Sequence, residues 1–387
     1  MKIGILTIAN VNNYGAELQC CALCRKLNKM GYDAEVINYL FGIHPDHKFD
    51  GEHRTVKLTL KQDIKVRLLP VAQNLLCFFH KKNKRERTQR FEEFHAKYNR
   101  LTSTVYPSVK SLYEANFDYD IICIGSDQVW NYMKGYSLDP FFACFDKKNT
   151  RKITYASSIG LSSVSDEAEK VFSKELAGFS DISVREEPAA KLLQRLLHRD
   201  NISVVLDPTL ILDSKEWLEV ASFDMCPKER YVLVYIVTIK PCDYVLELAR
   251  EVARQRNLKI VRICRDAYPE HSGSDVQEIL TAGPSDFVGL FAHADFVVTN
   301  SFHGTAFSIN FSKPFYSVIK SHHSTNSRLT GILGKLELAD RIVPVGSPLP
   351  EISDIDYTAP AKRLQEERQS SLNYLNQALS NETKPTH

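Results

Sequence analysis

The chain has 387 residues, of which 43% are hydrophobic and 25% charged, and its formal net charge at pH 7 is +2. This is ordinary globular composition, and the small net charge argues against a nucleic-acid binder that works through a basic surface. Because a single core stops growing at roughly 250–300 residues, the length predicts two domains.

The first residues, Met-Lys-Ile-Gly-Ile-Leu-Thr-Ile, form a short apolar run without a basic leader, which is typical of a first strand rather than of a signal peptide. No stretch is apolar for the 18 residues that a membrane-spanning helix needs. The nine cysteines are scattered, which fits reduced thiols in a cytoplasmic protein. Cys21 and Cys24 form one CxxC pair without a second pair, so we predict no metal site.

Apolar β-branched runs alternate with helical patterns along the chain, and this alternation predicts parallel sheets covered on both faces. The predicted strands are 2–8, 34–40, 119–125, 151–157, 182–185, 203–206, 231–237, 259–264, 295–299 and 314–319. The predicted helices are 17–30, 166–177, 187–198, 214–222, 242–256, 285–294, 303–312 and 361–380. The elements fall into an N-terminal domain (1–200), a C-terminal domain (201–345), and a connector with a final helix (346–387).

An insertion at 56–100 lacks a clear strand, and its apolar residues followed by the charged run 80–90 indicate helices. One interpretation is a helical hairpin with a solvated charged face. The other is an interfacial element at 56–90 that rests on anionic lipid.

Ligands of open α/β sheets bind beyond the carboxyl ends of the strands, so the residues after each strand are the candidate site. The first strand leads into the polar loop 10–19, which could hold an anion or a sugar, or could be an ordinary loop with Asn caps. The strand ending at Ile124 leads into Gly-Ser-Asp-Gln-Val-Trp-Asn (125–131), which either binds carbohydrate or forms a capped turn with Trp130 in the core.

Two further strand ends carry basic residues. Arg185 could fork onto a carboxylate or phosphate, or pair with Glu186 or Glu187 at the surface. The strand at 295–299 leads into Asn-Ser-Phe-His-Gly (300–304), where His303 falls at a helix N-terminus that can bind phosphate. A histidine there can transfer protons near neutral pH or simply cap a packed turn. The next strand adds Lys320 and Arg328.

Together these segments resemble the polysaccharide pyruvyltransferase family. The resemblance runs from Asn-Tyr-Gly-Ala (13–16) to Arg341 and includes Gly-Ser-Asp-Gln-Val-Trp-Asn (125–131), Tyr-Ala-Ser-Ser-Ile-Gly (155–160), Val-Arg-Glu (184–186), Asp-Pro-Thr (207–209) and Ser-Phe-His-Gly (301–304). It implies a glycosyltransferase-B-like fold, in which two Rossmann-like domains face a cleft and the C-terminal helix packs back on the N-terminal domain.

The resemblance implies phosphoenolpyruvate as donor, a sugar diol as acceptor and a cyclic pyruvate ketal as product, without a cofactor. His303 matches the family's catalytic histidine, Arg185 a donor-binding arginine, and Lys320 a donor-binding lysine. Some members have an arginine where this chain has Ser301, and Arg328 is our candidate replacement. The predicted donor-binding set is Arg185, Ser301, Phe302, His303, Gly304, Lys320 and Arg328.

Asp127 is the predicted base on the acceptor side, or else it only orients hydroxyl groups. The predicted acceptor-binding set is Asn13, Tyr14, Glu17, Gln19, Ser126, Gln128, Trp130 and Asn131. The expected acceptor is a hexose, modified at its 4- and 6-hydroxyls, of a cell-surface (capsule-type) polysaccharide precursor linked to undecaprenyl diphosphate at the inner membrane face. The alternatives are a glycosyltransferase that uses a nucleotide sugar on the same fold, and a sugar-binding protein without catalysis.

Overall fold

A computed structural model describes residues 1–51, 80–134, 136–161, 163–238, 242–270, 272–320 and 327–380. The described chain divides into two compact units. The first unit comprises residues 1–51, 95–211 and 367–380, and the second comprises residues 80–94 and 212–366. Both units are discontinuous in sequence, so neither corresponds to one uninterrupted stretch of chain.

The first unit is an α/β layer structure built on short buried strands. Its strands are β1 (Lys2–Leu6), β2 (Asp33–Tyr39), β3 (Leu101–Tyr106), β4 (Ile121–Ile124), β5 (Arg151–Thr154), β6 (Ile182–Val184) and β7 (Ile202–Val204). Its helices are α1 (Tyr14–Lys29), the end of α2 (Lys81–Tyr98), α3 (Val109–Glu114), α4 (Asp166–Glu175), α5 (Glu187–Leu197) and α6 (Pro208–Ile211).

All pairings in the first unit are parallel, and the sheet order is β3-β2-β1-β4-β5. The two-stranded β6–β7 sheet joins the β5 edge through backbone hydrogen bonds. The backbone N–H of Thr154 donates to the carbonyl of Asp181 (3.0 Å), and the backbone N–H of Arg185 donates to the carbonyl of Ser157 (3.2 Å). The strand order reverses between β1 and β4, which is the topological switch point of a Rossmann-like sheet. The loops after these two strands therefore define where a ligand of this unit binds.

The second unit repeats this architecture. Its strands are β8 (Tyr231–Tyr235), β9 (Lys259–Ile263), β10 (Val276–Ile279), β11 (Phe296–Thr299), β12 (Phe315–Ile319) and β13 (Ile342–Pro344). Besides the first part of α2, its helices are α7 (Ser214–Leu218), α8 (Cys242–Arg256), α9 (Pro284–His293), α10 (Phe302–Asn310), α11 (Ser327–Lys335) and the start of α12 (Thr358–Ser380). The parallel order β10-β9-β8-β11-β12-β13 is that of a full Rossmann sheet, with its switch point between β8 and β11.

The final helix, α12, packs on the first unit as expected. Ser371 accepts a hydrogen bond from the backbone N–H of Leu206 (2.9 Å), and the Tyr374 hydroxyl donates to the carbonyl of Thr154 (2.8 Å). Arg368 donates to the carbonyl of Leu210 (2.7 Å). These contacts make the end of the chain part of the first unit, and they confirm the prediction for this helix.

The observed elements add to the predicted ones mainly at the sheet edges. Three strands were missed, β3, β10 and β13, and each is the outermost strand of its sheet. Helices α3, α6 and α11 were also missed. Of the predicted insertion, residues 80–100 contain α2, whereas 56–79 lie outside the described residues.

The unit boundaries differ from the domain limits drawn from the sequence at 200/201 and 345/346. The first unit continues to residue 211 because β7 pairs with β6. The second continues to residue 366, and it includes residues 80–94 of the insertion because Arg90 pairs with Asp286 (3.3 Å) and Arg87 donates to the carbonyl of Cys264 (3.1 Å).

Candidate active site

A buried ion pair organises the carboxyl edge of the first unit. Arg185, after β6, donates through Nη1 to Oδ2 of Asp207 (2.6 Å), and the exposed fractions of the two side chains are 2% and 0%. Oδ2 of Asp207 also accepts from the Ser126 hydroxyl (3.1 Å), while Oδ1 accepts from the amide (2.9 Å) and hydroxyl (2.7 Å) of Thr209. Asp207 is thus the hub that joins the residues after β4, β6 and β7.

Asp127 adds a second carboxylate to this cluster. Its Oδ1 lies 3.7 Å from Nη2 of Arg185, and its backbone is left-handed (φ 72°). The amide of Gln128 donates to the same oxygen (2.8 Å), which fixes the carboxylate in the turn. Burial alone would lower the pKa of the Arg185 guanidinium, but the carboxylates of Asp207, Asp127 and Glu186 outweigh burial and raise that pKa.

Glu186 is the third carboxylate of this edge. Its Oε1 accepts from the Ser158 hydroxyl (2.8 Å) and from the amides of Ile159 and Gly160 (both 3.1 Å), so it closes the turn after β5. Three carboxylates therefore accompany one guanidinium here. This edge is better suited to a polyhydroxyl ligand, whose hydroxyls donate to carboxylates, than to an anion.

The loop after β1 is stabilised by residues that we had expected to contact the acceptor. Glu17 is 1% exposed and accepts from the amide of Val11 (2.8 Å), from His95 (2.7 Å) and from Asn99 (3.1 Å). Tyr14 is also 1% exposed. Both residues are buried in the first unit, which corrects the expectation that they bind the acceptor directly.

Gln19 is likewise internal, with 0% exposure. Its amide nitrogen donates to the Thr7 hydroxyl (3.0 Å) and to the carbonyls of Ile8 (3.2 Å) and Ala16 (2.9 Å). The Thr7 hydroxyl in turn donates to the carbonyl of Ser126 (2.8 Å). Gln19 therefore connects the two loops at the switch point, and its predicted acceptor contact is corrected to an internal one.

Trp130 belongs to the hydrophobic core. It is 0% exposed, its indole N–H donates to the carbonyl of Phe141 (3.0 Å), and its ring stacks on Phe142 with centroids 6.4 Å apart. The core alternative is therefore the correct one, and stacking on a sugar is excluded in this conformation.

The other predicted acceptor residues differ in exposure. Ser126 (0% exposed) and Asn131 (7% exposed) are buried, and Asn131 donates to the side-chain oxygen of Gln128 (3.1 Å). Asn13 is exposed and caps α1 by accepting from the amide of Ala16 (3.2 Å). Asn13, Gln128 and Asp127 are therefore the members of the predicted acceptor side that a ligand can reach.

In the second unit, the turn after β11 forms the N-terminus of α10. Ser301 caps the helix by accepting from the amide of Gly304 (3.2 Å), and its own amide donates to the Thr299 hydroxyl (3.0 Å). A Cβ at position 304 would lie 2.5 Å from Oγ1 of Thr299, so only glycine fits without movement. His303 is half-buried at the second position of the helix, in its first turn.

The structure brings several predicted donor residues together at this helix. The rings of Phe302 and His303 are 5.3 Å apart, edge to face, and the guanidinium of Arg328 lies 5.9 Å from the centre of the Phe302 ring. Lys320 directly follows β12, which pairs with β11, so its backbone lies at the same edge of the sheet. A helix N-terminus with Arg328 and Lys320 nearby is the kind of site that holds anions.

Arg185 belongs to the first unit, and its guanidinium is held between Asp207 and Asp127. Its predicted contact with the donor stays a prediction.

Two sets of residues at these edges were not predicted as site residues. Asp207 and Glu186 stand inside the recognised segments, but only the fold shows that they surround Arg185. The loop after β8 has no charged residue between 231 and 238 and was not predicted as part of the site. Its position at the switch point was the signal that could have identified it.

A sequence model of the family described as polysaccharide pyruvyl transferase matches residues 13–323. The chain belongs to the polysaccharide pyruvyl transferase family. This confirms the resemblance found in the sequence and shows that the protein is of a transferase family that acts in polysaccharide synthesis. No curated protein matches this pyruvyl transferase family member at a significant level.

Several solved structures resemble this chain, and one of them, an epimerase, supports its GT-B-like fold. The UDP-GlcNAc 2-epimerase from Neisseria meningitidis bound to UDP-GlcNAc superposes with a TM-score of 0.51 at 10% identity, over 98% of this chain and 100% of the epimerase. A putative UDP-N-acetylglucosamine 2-epimerase from Listeria monocytogenes gives 0.48 at 11% identity over 98% and 89%. The E. coli heptosyltransferase WaaC with ADP-2-deoxy-2-fluoro heptose gives 0.41 at 11% identity over 95% and 99%.

Among the described residues of this pyruvyl transferase family member, no helix is long and apolar enough to cross a membrane. The same described ranges contain no group of three or more His, Cys, Asp or Glu side chains placed to hold a metal ion.

Proposed function

We propose that this chain transfers the pyruvyl unit of phosphoenolpyruvate to two hydroxyls of a hexose, which gives a cyclic pyruvate ketal and phosphate. The observation that carries the proposal is the cationic N-terminus of α10, where the Phe302 ring lies beside His303 and Arg328 lies over the Phe302 ring. Family membership supports the reaction class, and this turn supports the anionic donor.

The negative charge of the donor matches the positive groups of the second unit. A phosphate ester and a carboxylate carry roughly three negative charges together at neutral pH. Lys320, Arg328 and the positive end of the α10 helix dipole can offset these charges. The guanidinium of Arg328 lies over the ring of Phe302, the residue after Ser301. This position supports the expectation that Arg328 replaces the arginine that some family members have at position 301.

The acceptor fits the first unit for the opposite reason. Asp127, Glu186 and Asp207 accompany the guanidinium of Arg185, so this edge offers carboxylate oxygens to a ligand that has hydroxyls to donate. A neutral sugar can donate its hydroxyls to Asp127, which is the accessible carboxylate. We therefore assign Asp127 to acceptor binding and to removal of a hydroxyl proton, and Asn13 and Gln128 to orienting the sugar.

The proposed chemistry balances without a further reactant or a cofactor. A proton adds to C3 of the donor, the first sugar hydroxyl attacks C2, and that hydroxyl loses its proton. The bond from C2 to the phosphate oxygen then breaks, and the second hydroxyl attacks C2 to close the ring. Two hydroxyl protons are released: one replaces the proton that C3 took up, and the other leaves with phosphate. We assign the transfer to C3 to His303.

The direct test measures phosphate release from phosphoenolpyruvate, and the pyruvyl ketal by mass spectrometry, over a panel of hexoses and hexosyl lipids. His303→Ala should abolish both signals while the protein melts at the same temperature. The matched control is His293→Ala, because His293 is exposed at the end of α9 and precedes β11, at the opposite edge of the same sheet. Activity of the His303 variant near that of the control would reject the assignment.

A thermal-shift comparison separates the proposal from a nucleotide-sugar glycosyltransferase and from a non-catalytic sugar binder. A ligand that binds only the folded state raises the melting temperature. We expect phosphoenolpyruvate to raise it and UDP-GlcNAc to leave it unchanged. The reverse result would support the glycosyltransferase, and a shift with sugars alone would support the binder.

We further propose that the acceptor is lipid-linked and that segment 56–90 contacts the inner membrane face. Of this segment, the described residues 80–90 support the idea, because Lys81, Lys82, Lys84 and Arg85 are exposed at the start of α2. Basic side chains near an anionic surface contribute about 1 kcal/mol each. Flotation with anionic liposomes at low salt should recover the protein, and Lys81→Glu/Lys84→Glu should reduce the recovery; no binding of the unmodified protein would reject the idea.

A further inference from the structure

We propose that Thr238 is a donor-binding residue, whose hydroxyl donates a hydrogen bond to an anionic oxygen of phosphoenolpyruvate, and that Asn300 positions this hydroxyl. The inference rests on the proposed function, because it names a new contact for the same donor. No residue of the loop after β8 belongs to the predicted site.

The topology places this loop beside the His303 turn. Strands β8 and β11 are parallel neighbours, and Tyr235 pairs with Thr299 at their carboxyl ends. Neighbouring strands lie about 4.8 Å apart, so the residues after β8 and those after β11 begin side by side. This pair of strands is also the switch point of the sheet, where ligands of such folds bind.

Asn300 joins the two sides of the switch point through three hydrogen bonds. Its Oδ1 accepts from the amide of Val237 (2.8 Å), and its Nδ2 donates to the hydroxyl (2.9 Å) and the carbonyl (3.3 Å) of Thr238. The next residue, Ser301, is the cap of α10. The hydroxyl of Thr238 is therefore bonded to the residue that directly precedes the N-cap of the helix that carries His303.

The hydrogen-bond directions show what the hydroxyl can still do. Because the Val237 amide can only donate, Oδ1 of Asn300 must face it, and the NH2 group must then face Thr238. The hydroxyl oxygen of Thr238 accepts this bond and keeps its own hydrogen to donate. Within the part of the chain that the structure describes, that hydrogen is given to no acceptor, and the side chain is exposed.

An anion is the ligand that suits this arrangement. Three groups that attract anions lie at the carboxyl edge of the second sheet. They are the Thr238 hydroxyl, the N-terminus of α10 and the guanidinium of Arg328. Hydrogen bonds to charged groups are stronger than those between neutral groups. Thr238 can therefore contribute measurably to donor affinity although it carries no charge.

The test is isothermal titration of phosphoenolpyruvate into the full chain and its variants. Thr238→Val keeps the shape and removes the hydroxyl, and it should weaken phosphoenolpyruvate binding roughly tenfold to a hundredfold. Thr238→Ser keeps the hydroxyl and should bind within about threefold of the unmodified protein. Because the side chain is exposed, the melting temperature of both variants should stay unchanged.

Asn300→Ala and the double variant complete the design. If Asn300 acts through the hydroxyl, Asn300→Ala weakens binding, and adding it to Thr238→Val costs less than the sum of the two single effects. Equal binding by Thr238→Val and the unmodified protein, or equal weakening in the Val and Ser variants, would overturn the inference while leaving the proposed function intact. Failure of the unmodified protein to bind phosphoenolpyruvate would instead overturn the proposed function.

Discussion

Replacing Asp207 by asparagine tests how strongly the buried ion pair holds the first unit together. The carboxylate is fully buried and accepts from Arg185, Ser126 and both donors of Thr209. Asparagine has the same shape but only one acceptor oxygen, so its NH2 group must face a donor. The guanidinium of Arg185 also loses its closest counter-charge while staying buried.

Breaking one partner out of a buried pair costs about 3–5 kcal/mol. Asp127, whose oxygen lies 3.7 Å from the guanidinium, partly compensates the charge of Arg185. We therefore expect the Asp207→Asn variant to lose about 3 kcal/mol of unfolding free energy, at the lower end of that range.

Guanidinium unfolding followed by circular dichroism measures this loss. The matched control is Asp118→Asn, because Asp118 also pairs with a cation, Lys148 (2.9 Å), but its side chain is 92% exposed. Pairs of this kind contribute little to stability, so the control should unfold like the unmodified protein. Equal midpoints for the Asp207 and Asp118 variants would refute the assignment of Asp207 as the hub of this edge.

Three further predictions follow from burial. Trp130→Ala should lose about 3–5 kcal/mol of unfolding free energy, measured by chemical denaturation, because it empties a core position; an unchanged midpoint with weaker sugar binding would restore the acceptor role. Gly304→Ala should lower the melting temperature and weaken phosphoenolpyruvate binding, since its methyl group would meet Thr299; wild-type values for both would contradict the tight helix start. Burial raises the pKa of the Cys24 thiol from 9.0 to about 11. The unfolded thiol then ionises first, so stability should fall between pH 9 and 11, and Cys24→Ala should flatten that fall in denaturation midpoints measured across the range.

The central strands could be predicted because they are buried on both faces and read as continuous apolar runs. Ile121–Ile124 is an example, with all four residues buried. The missed strands β3, β10 and β13 lie at sheet edges, where one side of the strand has no partner and polar residues are tolerated. β10, for instance, reads Val-Gln-Glu-Ile, and β13 is three residues long and ends in a proline.

The turns of the site could be predicted from their place after strands, but the direction of their side chains could not. Trp130 and Gln19 have the residue types of a sugar site, yet Trp130 packs against Phe172, which is distant in sequence, and Gln19 turns inward to bond Thr7 at the end of the preceding strand. Arg185 was recognised as important, whereas its partner Asp207 comes from a different strand end. The burial of a side chain and the identity of its hydrogen-bond partner depend on contacts between strands, and these contacts cannot be inferred from a single sequence.

The position of α12 has a consequence for how the protein is made. The backbone on either side of Asp207 is hydrogen-bonded by two residues of α12, Ser371 and Arg368, which are synthesised about 160 residues later. Every described strand of both sheets is therefore synthesised before the first Rossmann-like sheet receives these contacts. The last described strand of the second sheet is at residues 342–344, so this sheet can form before α12 is available to the first unit.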